Sequence, residues 1–298
     1  MSRLMRWADG FIAVDWGTTN RRAYLIDAQG KCSSEFEDDQ GILSVPDGGF
    51  EAAVSEIRER MGGKPMLLAG MIGSNRGWIE VPYAHCPAGI GDLAGQLVWS
   101  PDRSAALVPG LAYLGKRADV MRGEEVQILG AAAAGDIPPD CLVCHPGTHN
   151  KWIQVRGGRI CAFRTVMTGE LFNLLRDKSI LSDLLKADVE VSEAFCDGVR
   201  RSLAGAALTA ELFETRARVL LGRTRPEDGG PFVSGLLIGQ DVRVGLEHKS
   251  DLPVVVMGRP ELTELYAAAL KEADVEVTEM DGERAFLAGA CKIVELIE

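Results

Sequence analysis

Two runs of this chain, 130 positions apart, nearly repeat one another. Asp15-Trp16-Gly17-Thr18-Thr19-Asn20-Arg21-Arg22 follows an apolar run at 10–14, and His145-Pro146-Gly147-Thr148-His149-Asn150-Lys151-Trp152 follows another at 141–144. Each run then enters a second strand-like stretch, 23–26 or 152–155. A buried strand, a tight Gly-Thr turn and a return strand make a hairpin. Glycine lets the backbone approach a bulky anion, and turn N–H groups with threonine hydroxyls form a nest for phosphate. One copy alone reads equally well as an ordinary hairpin. Two copies favour a pair of phosphate-binding turns that grip one polyphosphate from both sides.

The rest of the chain repeats the same grammar. Residues 11–14, 23–26 and 32–36 predict three consecutive antiparallel strands, with a turn at 27–30. Phe50, Val54, Ile57 and Met61 have helical spacing, and Pro65 precedes a buried strand at 66–69. Gly70, Gly73 and Gly77 make the next segment a loop at a strand's carboxyl end, where open α/β sheets place binding residues. A helix is expected over 119–134, ending at Gly135, and Pro138-Pro139 marks a boundary. Strands at 141–144, 152–155 and 159–163 follow, then a helix from Thr168, with Thr168 as its N-cap and Glu170 in its first turn. Helices are expected over 192–221, with a break near Thr209, and over 232–247. A strand at 254–257 precedes Gly258, a helix at 260–271, a strand at 275–278 and a closing helix at 283–297. The reading is an α/β chain with a duplicated ribonuclease-H-like fold, the type found in sugar kinases, actin and Hsp70. Its domains are expected at 1–137 and 138–298, with both Gly-Thr turns pointing into a cleft between them.

Composition narrows the function. A length of 298 residues suits about two domains. No apolar run reaches the roughly 18 to 20 residues of a membrane span, and residues 1–7 carry Arg3 and Arg6 without the apolar core of a secretory signal. The seven cysteines lack zinc-like spacing, and Cys141 and Cys144 fall within one strand, so reduced thiols and a cytoplasmic location are expected. A net charge of −11 argues against a nucleic-acid partner. Local arginines can still shape a pocket for a small anion. A homo-oligomer is compatible with the chain.

Asp15 is the sharpest single residue. A carboxylate at the end of a buried strand, beside a phosphate nest, suits Mg²⁺ held through water, and the metal would offset charge on a transferring phosphoryl group. The alternative is an aspartate that caps its own turn. His145 stands at the matching place in the second run, as expected for one metal-side loop and one phosphate-only loop. Gly17, Thr18, Thr19, Asn20, Gly147, Thr148 and Lys151 are the candidate phosphate contacts for ATP. Gly258 would leave room for ribose or the α-phosphate, and Gly235 would allow close helix packing. Neither run matches the P-loop pattern. Phosphoryl transfer to a hydroxyl benefits from a carboxylate that takes its proton. Glu124 and Glu125 are candidates at the start of the joining helix, although acids suit any first helical turn. Arg22, Arg122 and Arg164 adjoin the motif runs and are candidates for an anionic substrate, with Asn75 and Trp78 as further lining.

Taken together, Asp15 to Asn20, the run Ala69-Gly70-Met71-Ile72-Gly73-Ser74-Asn75-Arg76-Gly77-Trp78, Met121-Arg122-Gly123-Glu124-Glu125-Val126-Gln127 and Pro146 to Trp152 resemble the 2-keto-3-deoxygalactonokinase family. Phe163-Arg164-Thr165-Val166-Met167-Thr168-Gly169-Glu170-Leu171 and Ser234-Gly235-Leu236-Leu237-Ile238-Gly239 resemble it too. The matches run from residue 11 into the final helix, in the family's order. The resemblance implies ATP-dependent phosphorylation of the 6-hydroxyl of 2-dehydro-3-deoxy-D-galactonate, in galactonate breakdown. Composition and spacing alone point only to a two-domain phosphoryl-transfer scaffold. The competing readings are a kinase for a related sugar or keto sugar acid, a non-kinase ATPase of the actin and Hsp70 class, and a ribonuclease-H-like nuclease. The last would need clustered carboxylates and a nucleic-acid surface.

Overall fold

The hairpin read from residues 10–26 closes into a sheet because its apolar positions have a core to face. The computed structural model describes residues 7–247 and 251–297, so the arginine-bearing residues 1–6 lie outside it. Strands β1 (Phe11–Trp16), β2 (Arg21–Ile26) and β3 (Cys32–Asp38) form an antiparallel meander. Helix α1 (Phe50–Arg60) then returns the chain to β4 (Met66–Gly70), parallel to β1. Ile12, Val14, Trp16 and Leu68 are fully buried, and α1 covers them with Val54 and Ile57. Short strands β5 (Ala84–His85), β6 (Val98–Trp99), β7 (Ala105–Leu107), β8 (Leu111–Leu114) and β9 (Ala118–Met121) follow, with helix α2 (Ile90–Ala94) between β5 and β6. The main sheet has the order β3-β2-β1-β4-β7-β6, and β5-β8-β9 form a small sheet of their own. Helix α3 (Glu124–Ala134) ends at Gly135, which takes a left-handed conformation.

The second half restarts with β10 (Cys141–His145), β11 (Asn150–Arg156) and β12 (Arg159–Val166). Helices α4 (Thr168–Lys178), α5 (Glu193–Leu203), α6 (Leu208–Leu220) and α7 (Gly229–Leu246) lead to β13 (Val254–Gly258). Helix α8 (Pro260–Glu272), β14 (Val277–Asp281) and α9 (Gly282–Ile297) close the chain. The sheet order is β12-β11-β10-β13-β14, with β13 parallel to both β10 and β14. Third, second, first, fourth, then a later strand is the order in both sheets. A β-carbon at Gly235 of α7 would stand 2.1 Å from the Phe195 carbonyl of α5, so the expected close packing at that glycine is present.

The chain forms two compact units. The first takes the chain up to Pro139, residues Val155–Ala162 and the segment from Glu283 onward; the second takes Asp140–Gln154 and Phe163–Gly282. Helix α9 joins the first unit because glycines let it touch α3: a β-carbon at Gly289 would stand 2.1 Å from the Val126 carbonyl.

Three local expectations change. Residues 119–121 are not helical: β9 pairs with β8, and Gly123, at φ 114°, separates the strand from α3. Thr168 is not an N-cap, because Met167 occupies that position and the Thr168 hydroxyl is bonded to Asp241. The last strand lies at Val277–Asp281, where it pairs with β13, rather than at 275–278.

Candidate active site

Asp15 lies in β1 one residue before its end, opposite Ala69 of β4 and Arg22 of β2. Beside it, Gly70 ends β4 at φ 89°, a conformation that favours glycine. A β-carbon there would stand 2.7 Å from the Trp16 carbonyl and 3.3 Å from Asp15 Oδ1. One at Gly123 would stand 3.3 Å from the Gly70 α-carbon and 3.8 Å from the same carboxylate oxygen. Two glycines therefore bring the β4 loop and the start of α3 against Asp15. This places Asp15, the Gly70 loop and the helix start that carries Glu124 and Glu125 together.

The two glutamates part company. Glu125 is fully buried, and both its carboxylate oxygens accept from the Gly123 N–H, at 2.9 and 2.7 Å. Burial, and then the charge of Glu124, push the Glu125 carboxyl up to about 8, against the pull of those hydrogen bonds. Glu124 is half-buried, and its Oε2 accepts from the Arg122 N–H at 3.2 Å. Glu125 acts on the backbone of its own helix start, whereas Glu124 is the carboxylate of the pair with access to solvent.

The three arginines also separate. Arg22 forms ion pairs with Glu37 at 3.0 Å and Glu283 at 3.6 Å. Arg164 pairs with Glu247 at 3.0 Å on an exposed face of the second unit. Arg122 is only 9% exposed. Its Nη2 donates to the Val81 carbonyl at 2.7 Å, and its guanidinium stacks on Tyr83, 4.4 Å from the ring centroid. Its Nε and Nη1 are buried without a hydrogen-bond acceptor in the protein. A buried donor left unpaired costs about 1–3 kcal/mol. Nη1 lies over Gly73, where a β-carbon would approach it to 3.0 Å. Asn75 is exposed in the same loop, and Trp78 is half-buried, packed on the first unit's core.

Each Gly-Thr turn is braced from behind. The carbonyls of Gly17, Thr18 and Thr19 accept from the N–H groups of Ile42, Leu43 and Gly41, at 3.1, 3.2 and 2.9 Å. Thr18, Thr19 and Asn20 remain exposed. In the second unit Thr148 accepts from the Glu170 N–H at 2.9 Å, and His149 Nε2 lies 2.5 Å from Glu170 Oε2. Gly169 lies so close that a β-carbon would come within 2.6 Å of the Gly147 carbonyl. Lys151 is buried, with Nζ donating to the His149 carbonyl at 2.9 Å. Gly258 lies beside this turn, its virtual β-carbon 3.8 Å from Pro146.

Sequence reading missed Tyr83, Gly41, Gly123 and Asp241. An isolated acid in the apolar stretch 231–242 was the available signal for Asp241. The others gain meaning only from the residues they meet across the fold. No group of three or more His, Cys, Asp or Glu side chains able to hold a metal occurs among the described residues. One aspartate at a strand end suits magnesium, which keeps several waters and is completed by substrate phosphates.

The repeated sheet order, with a Gly-Thr turn after the first strand of each sheet, defines a duplicated ribonuclease-H-like α/β protein of the class that includes sugar kinases, actin and Hsp70. A profile of the 2-keto-3-deoxy-galactonokinase family matches residues 15–293, and the chain belongs to that family. It is 36% identical to the 2-dehydro-3-deoxygalactonokinase of Escherichia coli (strain K12), over 96% of this chain and 98% of that protein. It is 37% identical to a Rhizobium meliloti (strain 1021) protein assigned the same activity, over 96% of each. A crystal structure of a Sinorhizobium meliloti protein, also assigned that activity, superposes with a TM-score of 0.89 at 34% identity, covering 96% of this chain and 99% of that one. Component A of the (R)-2-hydroxyglutaryl-CoA dehydratase of Acidaminococcus fermentans shares the fold, with a TM-score of 0.53 at 16% identity over 97% of this chain and 99% of that one.

Proposed function

We propose that this protein transfers the γ-phosphoryl group of ATP to the 6-hydroxyl of 2-dehydro-3-deoxy-D-galactonate, in the cytoplasm, as a step of galactonate breakdown. Family membership supports the reaction. The observation that carries the substrate class is Arg122, a buried guanidinium with two unpaired donor nitrogens, one of them over Gly73, in the residue before the Gly123 that lies against Asp15 and Gly70. Nε and Nη1 face different edges of the guanidinium and need an acceptor each, and the buried positive charge favours an anion, so an oxygen-rich sugar acid fits where a neutral sugar would leave that charge uncompensated.

In this reading Arg122 and the Gly73 loop fix the carboxylate end of the substrate. Glu124 then accepts the proton of the attacking hydroxyl; Glu125, held on Gly123, keeps the helix start in place. Each Gly-Thr turn is a phosphate-contact loop of its own unit, with Lys151 at the second turn and Gly258 on the adenosine side. Asp15 would hold Mg²⁺ through water, and the ion would supply charge neutralisation on the phosphates. A coupled ADP-release assay over a panel of sugar acids tests the proposal. ATP turnover should rise strongly with 2-dehydro-3-deoxy-D-galactonate and little with neutral sugars. Turnover that no sugar acid stimulates would instead favour a non-kinase ATPase.

A further inference from the structure

Helix α7 buries Phe232, Val233, Leu236, Leu237 and Val242, and among them it buries Asp241, whose exposure is 0%. A carboxylate taken out of water is tolerated only where it is well paired. Four side chains meet this one. Trp152 Nε1–H and the Asn150 amide donate to Oδ1 at 2.7 and 2.9 Å. The Tyr266 hydroxyl donates to Oδ2 at 2.6 Å, and the Thr168 hydroxyl donates to the same oxygen. The partners come from three elements, β11, α4 and α8. Gly245, one helical turn beyond Asp241, makes the arrangement fit. A β-carbon there would fall 2.0 Å from the Trp152 ring, so only glycine leaves room for the indole against α7, from where its Nε1 reaches the carboxylate.

Two of these partners flank the second Gly-Thr turn. Asn150 follows the turn directly, after His149. Thr168 begins α4 and precedes Gly169, which touches the Gly147 carbonyl and the Thr148 backbone. The next residue, Glu170, donates its N–H to the Thr148 carbonyl. Both segments that set the turn's position are thus tied to one buried carboxylate.

We infer that Asp241 is a positioning residue for the second phosphate turn, holding the end of the turn through Asn150 and its brace through Thr168. It touches no nucleotide and acts through the backbone at 147–150. The inference rests on the proposal that this turn contacts ATP phosphate, so its test carries a control for that reading. Asp241→Asn preserves shape. Its amide oxygen can still accept from Trp152 and Asn150, and the Thr168 and Tyr266 hydroxyls can rotate to accept from its nitrogen. Thr168→Val removes only the tether to α4, and serves if Asp241→Asn does not fold. Thr148→Ala tests the turn itself.

The measurements are KM for ATP, KM for the sugar acid, kcat, and Kd for ADP by calorimetry, on protein with an unchanged circular dichroism spectrum. The expected result is a rise of about tenfold in KM for ATP and Kd for ADP in Asp241→Asn, as charge-assisted hydrogen bonds are exchanged for weaker neutral ones. Thr168→Val should show a smaller rise, and the sugar-acid KM should stay within about twofold in both. A merely structural role would lower the folded fraction, and hence kcat, with both KM values unchanged. If Thr148→Ala weakens nucleotide binding while Asp241→Asn and Thr168→Val do not, the positioning role falls and the phosphate turn stands. If Thr148→Ala has no effect either, the positioning role falls and with it the Thr148 hydroxyl as a phosphate contact.

Discussion

Replacing Glu125 by glutamine separates a buried helix-start residue from a catalytic base, and the pH dependence of stability reports it. Unfolded, this carboxyl titrates near its ordinary 4.5; folded, it is raised to about 8. The folded protein therefore binds more protons than the unfolded chain between these values, and the parent loses stability as pH rises through that window. At about 1.4 kcal/mol per unit, the penalty is under about 1 kcal/mol at pH 5 and about 4 kcal/mol at pH 8. Glu125→Gln keeps an oxygen to accept from the Gly123 N–H and has no proton to lose. Its stability relative to the parent should therefore climb by about 3 kcal/mol between pH 5 and pH 8. Urea unfolding of both proteins at several pH values gives the difference directly. A difference that stays constant across the window would show that Glu125 ionises normally inside the fold, and the argument from its burial would be wrong.

Other substitutions at the site should behave differently from one another. Asp15→Asn should remain folded and lose kcat by about a hundredfold or more; near-normal turnover in a folded variant would remove Asp15 from the chemistry. Glu124→Gln should lower kcat by about 10² to 10⁴, the usual loss of a general base, and a change of only a few-fold would place the base elsewhere. Arg122→Lys and Arg122→Ala should both raise KM for the sugar acid and spare KM for ATP, because an ammonium reproduces neither the fixed donors of the planar guanidinium nor its stacking on Tyr83. Sugar-acid KM values that do not move in either variant would shift carboxylate recognition to the backbone of the Gly73 loop.

Much of the fold was legible because its signals are local. The apolar runs of β1 and β2, the Gly-Thr turns and the helical spacing of Phe50, Val54 and Ile57 each depend on neighbours in sequence. The expectations that failed depend on partners far away. Residues 118–121 are a strand because 111–114 lies beside them, although Gly123 was a visible stop. Thr168 looks like a cap until Asp241, 73 residues on, takes its hydroxyl. The site was legible as a set of runs but not as a set of roles. Glu124 and Glu125 are equivalent in sequence, and only burial tells them apart. Arg22, Arg122 and Arg164 are likewise indistinguishable until their partners are known: carboxylates for two of them, a carbonyl and an aromatic ring for the third.

The identity of the product tests the account most directly. The purified protein, ATP, magnesium and 2-dehydro-3-deoxy-D-galactonate can be followed by phosphorus and carbon nuclear magnetic resonance until ATP is consumed. The account predicts one phosphate ester, on C6 of the sugar acid, formed mole for mole with ADP. Inorganic phosphate released at the same rate with and without the sugar acid, or an ester on another carbon, would contradict it.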